Sequence, residues 1–175
     1  MGLQEEIDKK RREIRSDAYP MSIGEWISLY ESDPPEIDIH PEFQRFYRWS
    51  ADQKTRFIES ILLGIPIPTI FVSQREDGVW DVIDGLQRLS TIYQFVGILK
   101  GPDEQILPPL ILSSTKDLPS LEGTTWDASK FYEHQSNNLV QPNLFDEAEQ
   151  KVKSLTQTQR LLIKRTKIQA SIILK

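Results

Sequence analysis

The sequence predicts a mixed α/β domain, a small sheet with helices packed around it. Two observations predict the class. Two β-branched runs, IPIPTIFVSQ (65–74) and VWDVID (79–84), flank Asp77-Gly78, a dipeptide suited to a tight hairpin. Around them lie segments with apolar residues at helical spacing, two of them opened by capping boxes.

From the N-terminus, residues 3–16 read as a charged amphipathic helix with Leu3, Ile7 and Ile14 on one side, so residues 1–17 form a helical extension. Ser22-x-x-Glu25 opens a short helix over 23–31, which Asp33-Pro34-Pro35 stops. EIDI (36–39) alternates as a short strand does, and a loop of interleaved aromatic and basic residues, HPEFQRFYRW, follows it. Ser50-x-x-Gln53 opens a helix over 51–63 with Phe57, Ile58, Ile61 and Leu62 on its apolar face and Gly64 as its C-terminal stop. After the hairpin, residues 86–99 carry Leu89, Ile92, Tyr93, Val96 and Leu99 at helical spacing. The proline-rich stretch 101–142 holds a short strand at LPPLIL and a helix near 128–134. Helices over 143–155 and from Thr156-x-x-Gln159 to 165 lead to a closing strand, KIQASIILK. A strand left there at a sheet edge would expose Ile168, Ile172, Ile173 and Leu174. The chain is therefore expected to be a single domain truncated at its C-terminus, covered by downstream residues, by a second copy as a homodimer, or by a separate subunit.

The 175 residues suffice for one domain with a real core. There is no cysteine, which excludes disulfides and thiolate chemistry, and His40 and His134 stand in no metal-ligand spacing. The charged N-terminus is no signal peptide, and the longest apolar run is too short and too broken by proline to span a bilayer, so a cytoplasmic protein with no membrane contact is expected. Residues 151–175 hold seven basic residues and no acid in a chain of net charge −5, leaving −12 on residues 1–150. Such an end is read first as a solvated helix face that suits the helix C-terminus, with a DNA contact as the alternative.

Function is legible mainly in VIDGLQRLSTI (82–92). Gly85 lets the chain turn sharply from strand to helix, and the first amides of that helix then point outward without internal partners. Those amides and the helix dipole favour an anion. Arg88 lies in the first turn, where its fork can hold two phosphate oxygens. Gln87 can donate to the same oxygens or orient a water. Asp84 suits Mg²⁺, held through water, or a proton. In the loop, Gln44, Arg45 and Arg48 amid Phe43, Phe46, Tyr47 and Trp49 suit a nucleotide, cations for phosphates and rings for a base. These clusters are expected to line one cleft.

FQRFYRW, FIESILLGIPIPTIFV and VIDGLQRLSTIYQF, in this order over residues 36–99, resemble the N-terminal domain of GmrSD-type modification-dependent restriction systems, the DGQQR domains of the ParB/sulfiredoxin-like superfamily; RLLIKRTKIQASII fits the segment that follows. The resemblance implies a ParB/sulfiredoxin-like fold that binds and hydrolyses GTP or ATP with Mg²⁺, as the sensor or regulatory half of a DNA-cleaving phage-defence system with a nuclease domain or subunit as partner. Asp84, Gly85, Gln87 and Arg88 match DGQQR, with Asp84 and Gln87 as the catalytic pair and Gly85, Arg88, Gln44, Arg45 and Arg48 as phosphate ligands. Leu86 departs from the motif, standing where the family has Gln. Two alternatives are a ParB-like DNA-binding module without turnover and a regulatory interaction domain with a decayed site.

Overall fold

A computed structural model describes residues 2–39, 48–138 and 151–174. Among them are six α-helices, a mixed five-stranded sheet and a small two-stranded sheet, an α/β fold as expected. The chain divides into two compact units, one built on the large sheet and one mainly helical.

The sheet unit contains α1 (Leu3–Glu13), β1 (Arg15–Ser22), α2 (Ile23–Glu31), β2 (Ile37–Asp38), the hairpin of β3 (Ile70–Gln74) and β4 (Trp80–Asp84), and β7 (Lys167–Leu174), with strand order β1-β7-β3-β4-β2. β7 is antiparallel to β1 and parallel to β3. The Ser22–Glu25 box forms as read: the Glu25 amide donates to Ser22 Oγ (3.1 Å) and the Ser22 amide to the Glu25 carboxylate (2.6 Å). Those bonds hold the Glu25 carboxyl below its ordinary pKa. They start α2 in a frame that buries Ile23, Trp26 and Ile27, and Trp26 packs edge-on against Trp80 at 6.2 Å. Ile70, Val72, Val82, Ile168, Ala170 and Ile172 complete the core of the sheet. At its far edge Arg75 bonds both Asp38 (2.6 Å) and Asp81 (Nε, 2.9 Å), tying β2 and β4 to the end of β3. Both bonds raise the guanidinium's already high pKa.

Several elements differ from expectation. The first helix stops at Glu13, and RSDAYPMS forms β1, an eight-residue strand whose polar, proline-containing sequence carries no alternating signal. β1 covers β7, so the closing strand lies inside the sheet and not at its edge. Ile168 and Ile172 are buried in it, and Ile173 and Leu174 are half-buried. β3 begins at Ile70 instead of Ile65, because Pro66 and Pro68 cannot donate to a ladder.

The helical unit holds α3 (Ala51–Leu62), α4 (Leu86–Val96, from Gln87 onward), β5 (Thr124–Thr125), α5 (Ala128–Asn138), β6 (Lys153–Ser154) and α6 (Gln157–Arg165) up to Ile163. Ser50 and Gln53 cap α3 reciprocally, and Gly64 follows its end in the left-handed region at φ +73°. α4 ends at Val96, three residues earlier than periodicity suggests, because Gly97 turns left-handed and Lys130 Nζ reaches back to the Val96 carbonyl (3.2 Å). LPPLIL forms no strand. Leu110 and Leu112 are buried there, and Leu112 exchanges backbone bonds with Thr124 and Gly123. α5 runs to Asn138, beyond the expected 134. Of the helix expected over 143–155, residues 143–150 lie outside the described residues, and 153–154 form β6, parallel to β5. Phe95 meets Trp126 edge-on at 5.9 Å, and the Arg160 guanidinium lies 5.9 Å from the same ring.

Candidate functional site

In the sheet unit, the candidate residues stand where β4 ends. The β3–β4 ladder pairs Val72 with Val82 and Phe71 with Asp84, so the register slips by one at Ile83. Such a bulge re-aims the residues beyond it. Ile83, Asp84 and Phe71 are all exposed, Phe71 by 40%. An exposed ring directly across from the motif aspartate is a feature that alternation alone hides, since Phe71 reads as one more strand residue.

Gly85 is buried and has φ +108°. A Cβ built there would lie 2.9 Å from Ile70 Cγ1 and 3.2 Å from Cγ2. Glycine is thus required twice, for its backbone conformation and for contact with the β3 core. Leu86, half-buried, is the first residue of α4, whose first-turn amides have no partners within the helix.

In the helical unit, Gln87 and Arg88 are half-buried before the buried Leu89 and Ser90. Gln87 Oε1 accepts the backbone N–H groups of Arg48 (2.9 Å) and Trp49 (3.1 Å). Trp49 packs edge-on against Phe57 at 5.5 Å. Along the same helix, the Thr91 hydroxyl donates to the Gln87 carbonyl (2.7 Å), and Gln94 accepts from Lys54 Nζ (3.0 Å) while donating to the Pro108 carbonyl (2.9 Å). Burial lowers the pKa of Lys54. Gln87, Thr91 and Gln94, at offsets of four and seven, form a polar seam along α4. Gln44 and Arg45 lie outside the described residues, as do Phe43, Phe46 and Tyr47; Arg48 is exposed.

The Gln87 bonds predict a specific result. Gln87→Met removes an acceptor serving two amides, and hydrogen exchange at Arg48 and Trp49 should accelerate about fivefold or more, for roughly 1 kcal/mol per bond. Gln87→Glu keeps the acceptor and should preserve protection. Residue-resolved exchange measures both; equal rates in all three proteins would contradict the anchor.

The basic end resolves into separate roles. Arg160 is half-buried, donating to the Leu155 carbonyl (3.2 Å) beside Trp126. Lys164 and Arg165 are exposed in the last turn of α6, where they suit the helix dipole, and Lys151, Lys153 and Lys167 are exposed as well. Among the described residues, no group of three or more His, Cys, Asp or Glu side chains could hold a metal ion.

The family model described as "GmrSD restriction endonuclease, N-terminal domain" matches residues 23–174, from the start of α2 to the end of β7. The chain belongs to this family. Membership gives this GmrSD N-terminal domain a role in a restriction system and implies a nuclease domain or partner. No curated protein and no solved structure matches it. Among the described residues of the GmrSD domain, no helix is long and apolar enough to cross a membrane.

Proposed function

We propose that this domain binds a nucleoside triphosphate, GTP or ATP, with Mg²⁺ and hydrolyses it as the sensor half of a DNA-cleaving phage-defence system in the cytoplasm. The observation that carries this reading is the turn at Gly85, which ends β4 with an exposed carboxylate and opens α4, whose first-turn amides have no partners within the helix. A phosphate at that helix mouth meets the amides and the Arg88 fork. By the family motif Arg48, Gln44 and Arg45 are assigned as further phosphate donors, and Phe71, across the ladder from Asp84, offers a face for a base. Asp84 serves the metal through water or takes a proton. An exposed carboxylate fits Mg²⁺, which commonly keeps most of its waters and takes its other ligands from substrate phosphates. Gln87, with its oxygen holding the Arg48 backbone, presents its amide N–H groups to a phosphate or the attacking water. The ParB/sulfiredoxin-like placement belongs to the same proposal, as does a cleaving partner supplied by downstream residues or a separate subunit.

A second reading, a DNA-binding module without turnover, is favoured by the exposed Lys151, Lys153, Lys164, Arg165 and Lys167. One set of titrations separates the two. Saturable, Mg²⁺-dependent binding of GTP or ATP without DNA, followed by phosphate release, supports the leading reading. DNA binding that weakens steeply with salt, with no nucleotide binding, supports the second. Leu86 in the motif makes phosphate release the more demanding test, since an apolar side chain cannot bond a phosphate or a water.

A further inference from the structure

β1 is an outer strand of the five-stranded sheet, and residues 15–20 are exposed along it. The direction of its backbone groups follows from two independent observations. The Ile23 amide donates to the Thr166 carbonyl (2.8 Å), one step beyond the Ser22–Lys167 pair, so the odd-numbered residues turn their hydrogen-bonding groups to β7. Pro20, which has no N–H, then falls on an outward position, where proline is tolerated. The remaining outward amides are partly accounted for: that of Ser22 goes to Glu25, and that of Ile14 to the Lys10 carbonyl. Ser16 and Ala18 are left as the outward donors of β1.

We propose that a second copy of this chain pairs with this edge, antiparallel, about a twofold axis at Ser16. In that register Ser16 exchanges two bonds with Ser16 of the second copy, and each Ala18 amide meets the Ile14 carbonyl opposite, so all four outward donors are satisfied. Arg15 faces Asp17 twice across the non-hydrogen-bonded positions, where side chains stand closest. Ile14, 60% exposed in one copy, is covered by Ala18 of the other. Other registers fit worse. An axis at residue 17 sets Asp17 against Asp17, and one at residue 18 leaves Arg15 without an opposed acid. Charge therefore selects the register, and the sheet becomes continuous across the two copies. β1 lies ahead of the segment matched to the family, so the contact is inferred for this chain alone.

The chain has no cysteine, which makes the register directly testable. Residues opposed in a hydrogen-bonded pair have Cα atoms about 5.5 Å apart, within disulfide range. Ser16→Cys should therefore cross-link into dimers under mild oxidation. Ala18→Cys should not, because the two copies of residue 18 would be roughly 13 Å apart along the strands. In sedimentation at low salt, Arg15→Asp or Asp17→Arg should each weaken association about tenfold, and the double charge swap should restore it. Melting curves of the variants should match the wild type, since both positions are exposed. Three results would overturn the proposal: a wild-type chain that stays monomeric up to about 100 µM, cross-linking of Ala18→Cys as readily as Ser16→Cys, or a charge swap that fails to rescue either single variant.

Discussion

Gly85→Ala is expected to destabilise the chain by about 2–6 kcal/mol. Two costs combine. Non-glycine residues at such a φ carry about 1–3 kcal/mol of backbone strain. The added methyl also meets the Ile70 side chain, its nearest atom 2.9 Å away, at the base of β3. Overpacking of that kind costs another 1–3 kcal/mol. Denaturant unfolding should show the loss as a lower midpoint with an unchanged slope. Ile70→Ala in the same chain clears the contact but leaves the backbone term, so the double variant should be more stable than the sum of the two single losses. A Gly85→Ala protein as stable as wild type would mean that neither requirement holds. Any loss of nucleotide binding in this variant must be read against its stability, because the glycine of the motif is a packing residue.

Arg88→Ala should behave in the opposite way. Its side chain lies half-buried in the first turn of α4, outside the apolar set that begins at Leu89. Losing a charge-assisted contact to phosphate costs about 1.5–3 kcal/mol, a ten- to hundredfold weaker nucleotide affinity. The melting temperature should move by only a few degrees. Arg88→Lys keeps the charge but not the fork and should fall between the two. Unchanged affinity in Arg88→Ala would remove this residue from the phosphate site.

What the sequence makes legible is what local chemistry decides. The two capping boxes, the Asp77-Gly78 turn, the glycines after α3 and at the mouth of α4, and the α4 core face involve partners within a few residues, and each forms as read. β1 was not legible, because Arg15–Ser22 has no strand pattern of its own and owes its conformation to pairing with β7. The short β6 is likewise set by β5 and not by its own residues. At the candidate site, the Asp-Gly turn and the position of Arg88 in the first helical turn could be read directly. The hold of Gln87 on the Arg48 and Trp49 amides could not, since it joins residues distant in the chain. Nor could the exposure of Phe71, which depends on the register slip beside Asp84.

The place of β7 between β1 and β3 fixes an order of events during folding. Ser22 and Ile70 both wait for partners that the chain supplies only from Lys167 onward. The sheet therefore cannot close before Lys167–Leu174 has emerged, and β1 and β3 must remain unjoined until that strand arrives. The helical unit is complete by Ile163, wholly within that interval. It can consolidate first, while long-range closure of the sheet is the slow step. A chain that has emerged only as far as Ile163 would thus hold the whole helical unit and an open sheet with its apolar strands uncovered, the stage at which it is most exposed to aggregation.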